Sequence, residues 1–276
     1  MQLPIFTVFN LPPAERLAAL RAALAAGADP NSVDADPSRN LRGETLLGRA
    51  FSVDPVSLDI ELVQELLNHG ANPLRGNMWC EETGEMEPMF GRVASMAFRN
   101  SLPPSDDVSA YPEPINPIGP PVMHAFLKAC LDQGHTDGHG NDVLSHMVER
   151  LQVFSHGQFE EPIRHALAIG FPVDQPIEDD PNAVHYLLNK YMLSTVQAGM
   201  APRFEAAWDF ISDFIDAGID MSKQNAKGFT AWEVVDSLVK TASDIPAYAK
   251  IQATRQNIAL NEQTPSISIS RRSSRL

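Results

Sequence analysis

The sequence is short of the features that most function classes require. It holds two cysteines, Cys80 and Cys130, far apart in the chain. Two such thiols make no disulfide framework and fit a reducing compartment. No apolar run approaches the roughly 20 residues of a membrane span. The first ten residues are apolar but lack a basic lead, and Pro4, Pro12 and Pro13 interrupt the segment, so it makes a poor signal peptide. The phosphate-binding pattern Gly-x-x-x-x-Gly-Lys-Ser/Thr, a strand-embedded Gly-x-Gly-x-x-Gly, His-Glu-x-x-His and Gly-x-Ser-x-Gly are all missing. Basic charge is scarce as well: 21 Lys and Arg stand against 35 Asp and Glu, for a net charge of −14. Segment 261–276 sets Glu262 against Arg271, Arg272 and Arg275 and is +2, which leaves the body at −16. Such a body repels phosphate backbones, and no local basic stripe offsets it, so nucleic acid is not an expected partner. It attracts a basic protein instead. The expectation is a cytoplasmic chain with no membrane partner.

What is present is a folded composition, 43% hydrophobic and 20% charged, and a repeat. An amphipathic run ends in Gly, then a small or polar residue, at Leu24-Ala-Ala-Gly27-Ala-Asp29-Pro30-Asn31 and at Leu66-Leu-Asn-His-Gly70-Ala-Asn72-Pro73. Looser copies end at Gly134, Gly170 and Gly218. Glycine takes the left-handed conformation that closes a helix C-terminus without a Cβ penalty, so five such stops predict five helix ends. The complementary signal is a helix start. Gly43-Glu-Thr45-Leu-Leu47 and Gly228-Phe-Thr230-Ala-Trp232 place Thr where its oxygen can cap the next helix, and Gly140-Asn-Asp142-Val-Leu144 places Asp there.

These residues resemble the ankyrin repeat, a unit of roughly 33 residues with two antiparallel helices and a β-turn finger. The best match runs from Asp216 to Val235, where Gly228 follows Gly218 at a spacing of ten positions. The stretch from Gly27 to Thr45 follows, with a finger lengthened by 34–40. The family's Thr-Pro-Leu-His reads Thr45-Leu-Leu-Gly48 here. Successive glycines stand 43, 64, 36 and 48 residues apart, so every unit is longer than the family's. The resemblance spans about two thirds of the chain and implies an all-α solenoid of stacked antiparallel helix pairs with elongated loops. It also implies a function in binding another protein rather than in catalysis.

Periodicity places helices at 13–26, 44–51, 58–69, 84–98, 121–133, 141–153, 159–169, 182–193, 203–217, 230–241 and 247–259. The 84–98 helix is expected to bury Met86, Met89, Phe90, Val93 and Met96. No strand of any strength is expected. Seven prolines mark 101–121 as an insert in a single domain of residues 1–260. Segment 261–276, rich in Ser and Arg, reads as a flexible tail. Its closing Ser274-Arg275-Leu276 resembles a peroxisomal address, but so short a motif is common by chance, and the Ala- and Pro-rich style of 18–30 reads as bacterial.

Two clusters have site-like chemistry. Cys130, His135, His139 and His146, with Asp132, Asp137 and Asp142 between them, are metal-binding types, but one thiol and three irregularly spaced imidazoles match no zinc pattern. The acidic runs Glu81-Glu82 with Glu85 and Glu87, and Glu178-Asp179-Asp180, read as solvated groups or a docking patch for a basic partner. No catalytic residue, cofactor or metal is therefore assigned. Fingers project to one side of a stack, so the expected protein-binding residues are Asp29, Asn31, Arg42, Asn72, Arg75, Trp79, Glu82 and Tyr111. Trp208 and Trp232 are expected to serve stability. The function expected from this surface is that of an immunity or inhibitor protein that neutralises a toxin, with an effector delivered to a host cell as the alternative.

Overall fold

The computed structural model describes residues 5–34, 44–52, 60–75, 77–80, 85–88, 120–136, 140, 142–150, 160–192, 201–241 and 247–263. The chain enters through a 3-10 segment, Ile5–Asn10, whose Val8 and Phe9 are buried against the first helix. Then come α1 (Pro13–Ala25), α2 (Leu46–Ser52), α3 (Ile60–Asn68), β1 (Asn77–Cys80), β2 (Glu85–Pro88) and α4 (Pro120–Asp132). They are followed by α5 (Val143–Arg150), α6 (Glu160–Ile169) and α7, which starts as Ala183–Tyr186 and continues as a π-helical Leu187–Met192. Last are α8 (Ala201–Asp216), α9 (Ala231–Thr241) and α10 (Ala247–Gln263).

The helices stack as a solenoid. One row, α1, α3, α4, α6, α8 and α10, is in contact pair by pair in chain order. The second row, α2, α5 and α7, packs each helix on its partner in the first row. Each repeat therefore touches mainly its neighbours, the arrangement in which no single pair could bury its apolar face alone. Leu20, Leu46, Leu62, Leu66, Phe126 and Trp208 are wholly buried between the rows. Phe51 of α2 meets Phe126 of α4 edge to face, with ring centroids 5.9 Å apart. Trp208 fills the core of α8, as the sequence predicts, whereas Trp232 of α9 is only partly buried. Arg255 of α10 lies 4.6 Å over the Trp232 ring and bonds Asp236, which fastens the last helix down.

The five predicted stops close in the same way. Gly27 takes φ +87°, its N–H donates to Leu24 O and the next N–H donates to Ala23 O. The same pair of bonds recurs at Gly70, Gly134, Gly170 and Gly218. This is the double bond of a Schellman cap, and it turns the chain out of the helix at a fixed angle. The starts of α2, α5, α7 and α9 are capped by Thr45, Asp142, Asn182 and Thr230, whose side-chain oxygens accept from the backbone N–H of Gly48, Ser145, His185 and Glu233. The all-α solenoid predicted from the sequence is what these two signals build.

One expectation is overturned. Instead of a helix from residue 84, β1 and β2 pair antiparallel, with Trp79 opposite Met86 and Cys80 opposite Glu85. Pro88 would cost a helix its hydrogen bond, and Glu85-Met86-Glu87 alternates with the period of two that a strand uses. Helix α10 also runs to Gln263, into the segment read as tail. Residues 101–119 of the insert and residues 264–276 lie outside the described residues, while Pro120 and Pro121 open α4. Among the described residues no helix is long and apolar enough to cross a membrane.

Candidate protein-binding surface

Between the rows the chain leaves the stack as fingers, and the fingers are held by the same backbone logic that ends the helices. In the first, Val33 bridges Thr45, Asp34 N–H donates to Glu44 O and Leu46 N–H donates to Ser32 O. In the third, Thr136 bridges Asp142 and Val143 N–H donates to His135 O. In the last, Gln224 bridges Thr230, and Asn225 N–H donates to Phe229 O. Each bridge ends on the residue that caps the next helix, so finger and helix share one anchor.

The fingers are tied to one another. Asn31 Nδ2 donates to Gly70 O at 3.1 Å, and its Oδ1 accepts from Asn72 N–H at 2.6 Å. Asn72 reaches on to Gln133 Oε1, 3.2 Å away. A side chain four residues after one glycine thus binds the backbone two residues after the next. The same bond recurs where Asp174, four residues after Gly170, accepts from Asp220 N–H at 3.0 Å. There it is reinforced: Asn182 Nδ2 donates to Asp174 Oδ1 and to Asp220 O. Lys223 Nζ donates to Asp174 O at 2.8 Å, while His185 shares a 2.8 Å hydrogen bond with Lys223 O through Nε2.

Placement of the predicted residues follows. Asp29 is exposed, and its Oδ1 accepts from Asn31 N–H, an Asx turn that opens the first finger. Asn31 and Asn72 are half-buried in the inter-repeat bonds just described. Arg75 is exposed and one turn further along the second finger. Trp79 lies in β1. The structure brings Asp29, Asn31 and Asn72 onto one edge of the stack. Arg42, Glu82 and Tyr111 lie outside the described residues.

The sequence reading missed three features. Asn182-Ala183-Val184-His185 resembles the ankyrin pattern Thr-Pro-Leu-His, with Asn as the cap and the imidazole wholly buried; its signal was the three-residue Asn–His spacing. Two large apolar side chains are exposed among the described residues, Val33 (51%) and Phe229 (50%), and both are on fingers. The third is electrostatic. Glu178-Asp179-Asp180 sits at the tight turn before α7, beside Tyr186. Burial first, then Glu178, Glu149 and Asp180, pushes the Tyr186 phenol up to about 12. Burial likewise raises the Asp180 carboxyl, against the Asn189 amide bonded to it. Lys190 answers this charge, 3.3 Å from Glu178 and 5.9 Å over the Tyr186 ring.

The residues weighed as metal ligands are spread out. Cys130 is wholly buried in α4, where burial raises its thiol. His135 Nδ1 meets Asp142 Oδ2 at 3.1 Å in the third finger, and His139 lies outside the described residues. Among the described residues no three His, Cys, Asp or Glu are grouped so as to hold a metal ion.

No family model matches the sequence, and no curated protein matches it. Among solved structures, the chain is similar to the human ASB11 ankyrin repeat domain, at 15% identity and a TM-score of 0.35, over 87% of this chain and 98% of that one. It is similar in the same degree to the ankyrin repeat domain of Bcl-3, a member of the IkappaB protein family, at 16% identity and a TM-score of 0.35, over 88% and 98%.

Proposed function

We propose that this chain is a protein-interaction module whose fingers capture a basic protein, and that it acts as an immunity or inhibitor protein that binds and neutralises a toxin. The observation that carries the reading is the exposure of Val33 and Phe229 on fingers locked by inter-repeat hydrogen bonds. Apolar side chains on a preordered edge lose little freedom on binding, which converts contact area into affinity. Asp29, Glu178 and Asp179 are exposed carboxylates, and the chain as a whole is −14. Complementary charge of that kind speeds capture of a basic partner. The contact set is Val33, Phe229, Asp29, Arg75 and Trp79, together with Arg42, Glu82 and Tyr111. Asn31 and Asn72 serve it by holding the turns in place.

The test is affinity capture of the tagged chain from its native cells, with mass spectrometry, beside the double variant Val33→Glu, Phe229→Glu. The expected result is one stoichiometric basic protein on the wild type, with affinity reduced about ten-fold or more in the variant. A partner held equally by both would remove the fingers from the interface. Recovery of the wild type alone would point to the alternative, an effector whose partner lies in another cell.

A further inference from the structure

The middle of the first row carries a pair that the binding reading does not use. His124 of α4 and His165 of α6 stack ring on ring, with centroids 3.6 Å apart and planes 8° from parallel. His124 Nε2 lies 2.6 Å from Glu161 Oε1, one turn before His165 on α6. The contact spans the boundary between two repeats, and α4 with α6 is one of the main inter-repeat contacts of the row. Both rings are partly buried, so water screens them incompletely.

A proton on His124 meets the Glu161 carboxylate and strengthens the joint. A second, on His165, places two cations face to face at stacking distance, where like charges disfavour each other. Other charged groups stand on the helices packed around the pair. On the same helices, Lys128 pairs with Asp132, and Arg164 bonds Glu160 and Asp213. Helix α3, against the far side of α4, brings Glu61 and Glu65, the latter bonded to Arg21 and close to His69. Helix α5 brings His146 and Glu149 to α6. Helix α8 brings Asp213, and Asp209, which pairs with Lys250. Glu161 is the carboxylate that bonds the pair.

We propose that His124, His165 and Glu161 form an acid-sensitive joint between α4 and α6, closed while the pair holds one proton or none and loosened when it holds two. Burial, and then the neighbouring His124 ring, hold the His165 imidazole below the ordinary histidine value, with Glu161 acting against them. The sign follows. A depressed histidine means that the opened state binds more protons, so stability is full above the ordinary histidine range and is lost as pH falls below it.

The test is hydrogen exchange of the full chain from about pH 7.5 to about pH 4.5, across the ordinary histidine range. Exchange is expressed as opening constants and compared between α4, α6 and the distant α1. Taking up one proton on opening gives a slope of about ten-fold per pH unit. The expected result is that slope in α4 and α6, absent from α1. His165→Phe, which keeps the stack but not the second charge, abolishes it, while Glu161→Gln moves the loosening to higher pH. Opening constants in α4 and α6 that follow those of α1, or an acid slope retained in His165→Phe, would overturn the joint. Should His165→Phe fail to fold, the wild-type comparison decides by itself.

Discussion

The first and last fingers are built on the same frame and dressed with opposite polarity. Both close with an antiparallel bridge onto a Thr cap, Thr45 in one and Thr230 in the other. The residue before the cap is Glu44 in the first finger, wholly buried, and Phe229 in the last, half exposed. The cheaper arrangement would bury the phenyl and expose the carboxylate. Glu44 is kept inside by Arg49, 3.4 Å away on the first turns of α2. The frame leaves this position free, since it holds a buried carboxylate at one end of the stack and an exposed phenyl at the other. Residues that break a local rule mark the place where function has a claim.

The two ends differ in their inter-repeat bonds too. Asn31 joins neutral groups, while Asp174 brings a carboxylate together with Lys223. If each end is a neighbour-coupled unit, the largest effect comes from the core under the last finger. Trp208→Ala should cost roughly 3–5 kcal/mol, and chemical denaturation followed by hydrogen exchange should show the loss concentrated in α8, α9 and α10. Equal loss of protection in α1 and α3 would show one cooperative block in place of a chain of neighbours. Next is Arg49→Met, which takes the guanidinium from a buried carboxylate and should cost on the order of 3 kcal/mol in urea melts. A change as small as that of an exposed pair would mean that Glu44 does not depend on it.

Below these lie the two ladder residues. Asp174→Ala removes the acceptor of Asp220 N–H and of Asn182, partly exposed to solvent, and should cost roughly 1–3 kcal/mol. Asn31→Ala removes a neutral acceptor and should cost about 1 kcal/mol. Matched melts of the two variants rank the ladders. The reverse order would show that solvent at Asp174 cancels the benefit of its charge.

Most of this frame was legible because it rests on residues whose chemistry is local. A left-handed φ calls for Gly27, Gly70, Gly134, Gly170 and Gly218, and a helix start calls for Thr45, Asp142 and Thr230, whatever stands nearby. The hairpin was not legible, because Met86 fits a helical stripe as well as a strand and the deciding partner, Trp79, lies in another segment. Asn182–His185 escaped because Asn replaces Thr at the cap. The ladder from Asp174 to Asp220, and the stack of His124 on His165, depend on which repeats are neighbours, and no local pattern encodes that. Of the residues expected to bind a partner, Asp29 could be placed on a finger from its glycine. The exposure of Val33 and Phe229 needed the fold, since an isolated apolar residue beside a capping Thr reads as core.

The smallest effect separates the two helix starts by pH. In the last finger Thr230 and Glu233 form a capping box: Thr230 N–H and its hydroxyl both donate to Glu233 Oε2, and Glu233 N–H donates to Thr230 Oγ1. Those bonds from Thr230, backbone first, hold the Glu233 carboxyl below the ordinary glutamate value. A depressed carboxylate stabilises above its unfolded value, and the contribution disappears as pH falls through the folded one. The first finger has Gly48 at the corresponding place, so its helix start has no capping box, and its carboxylate, Glu44, pairs with Arg49 instead. Carboxyl NMR of the full chain should therefore find Glu233 titrating low and the first turn of α9 fraying as that carboxylate takes up its proton. Thr230→Ala should return Glu233 toward the ordinary value. An unchanged Glu233 in that variant would assign the shift to the backbone N–H of residue 230, which the substitution keeps, and would take the hydroxyl out of it.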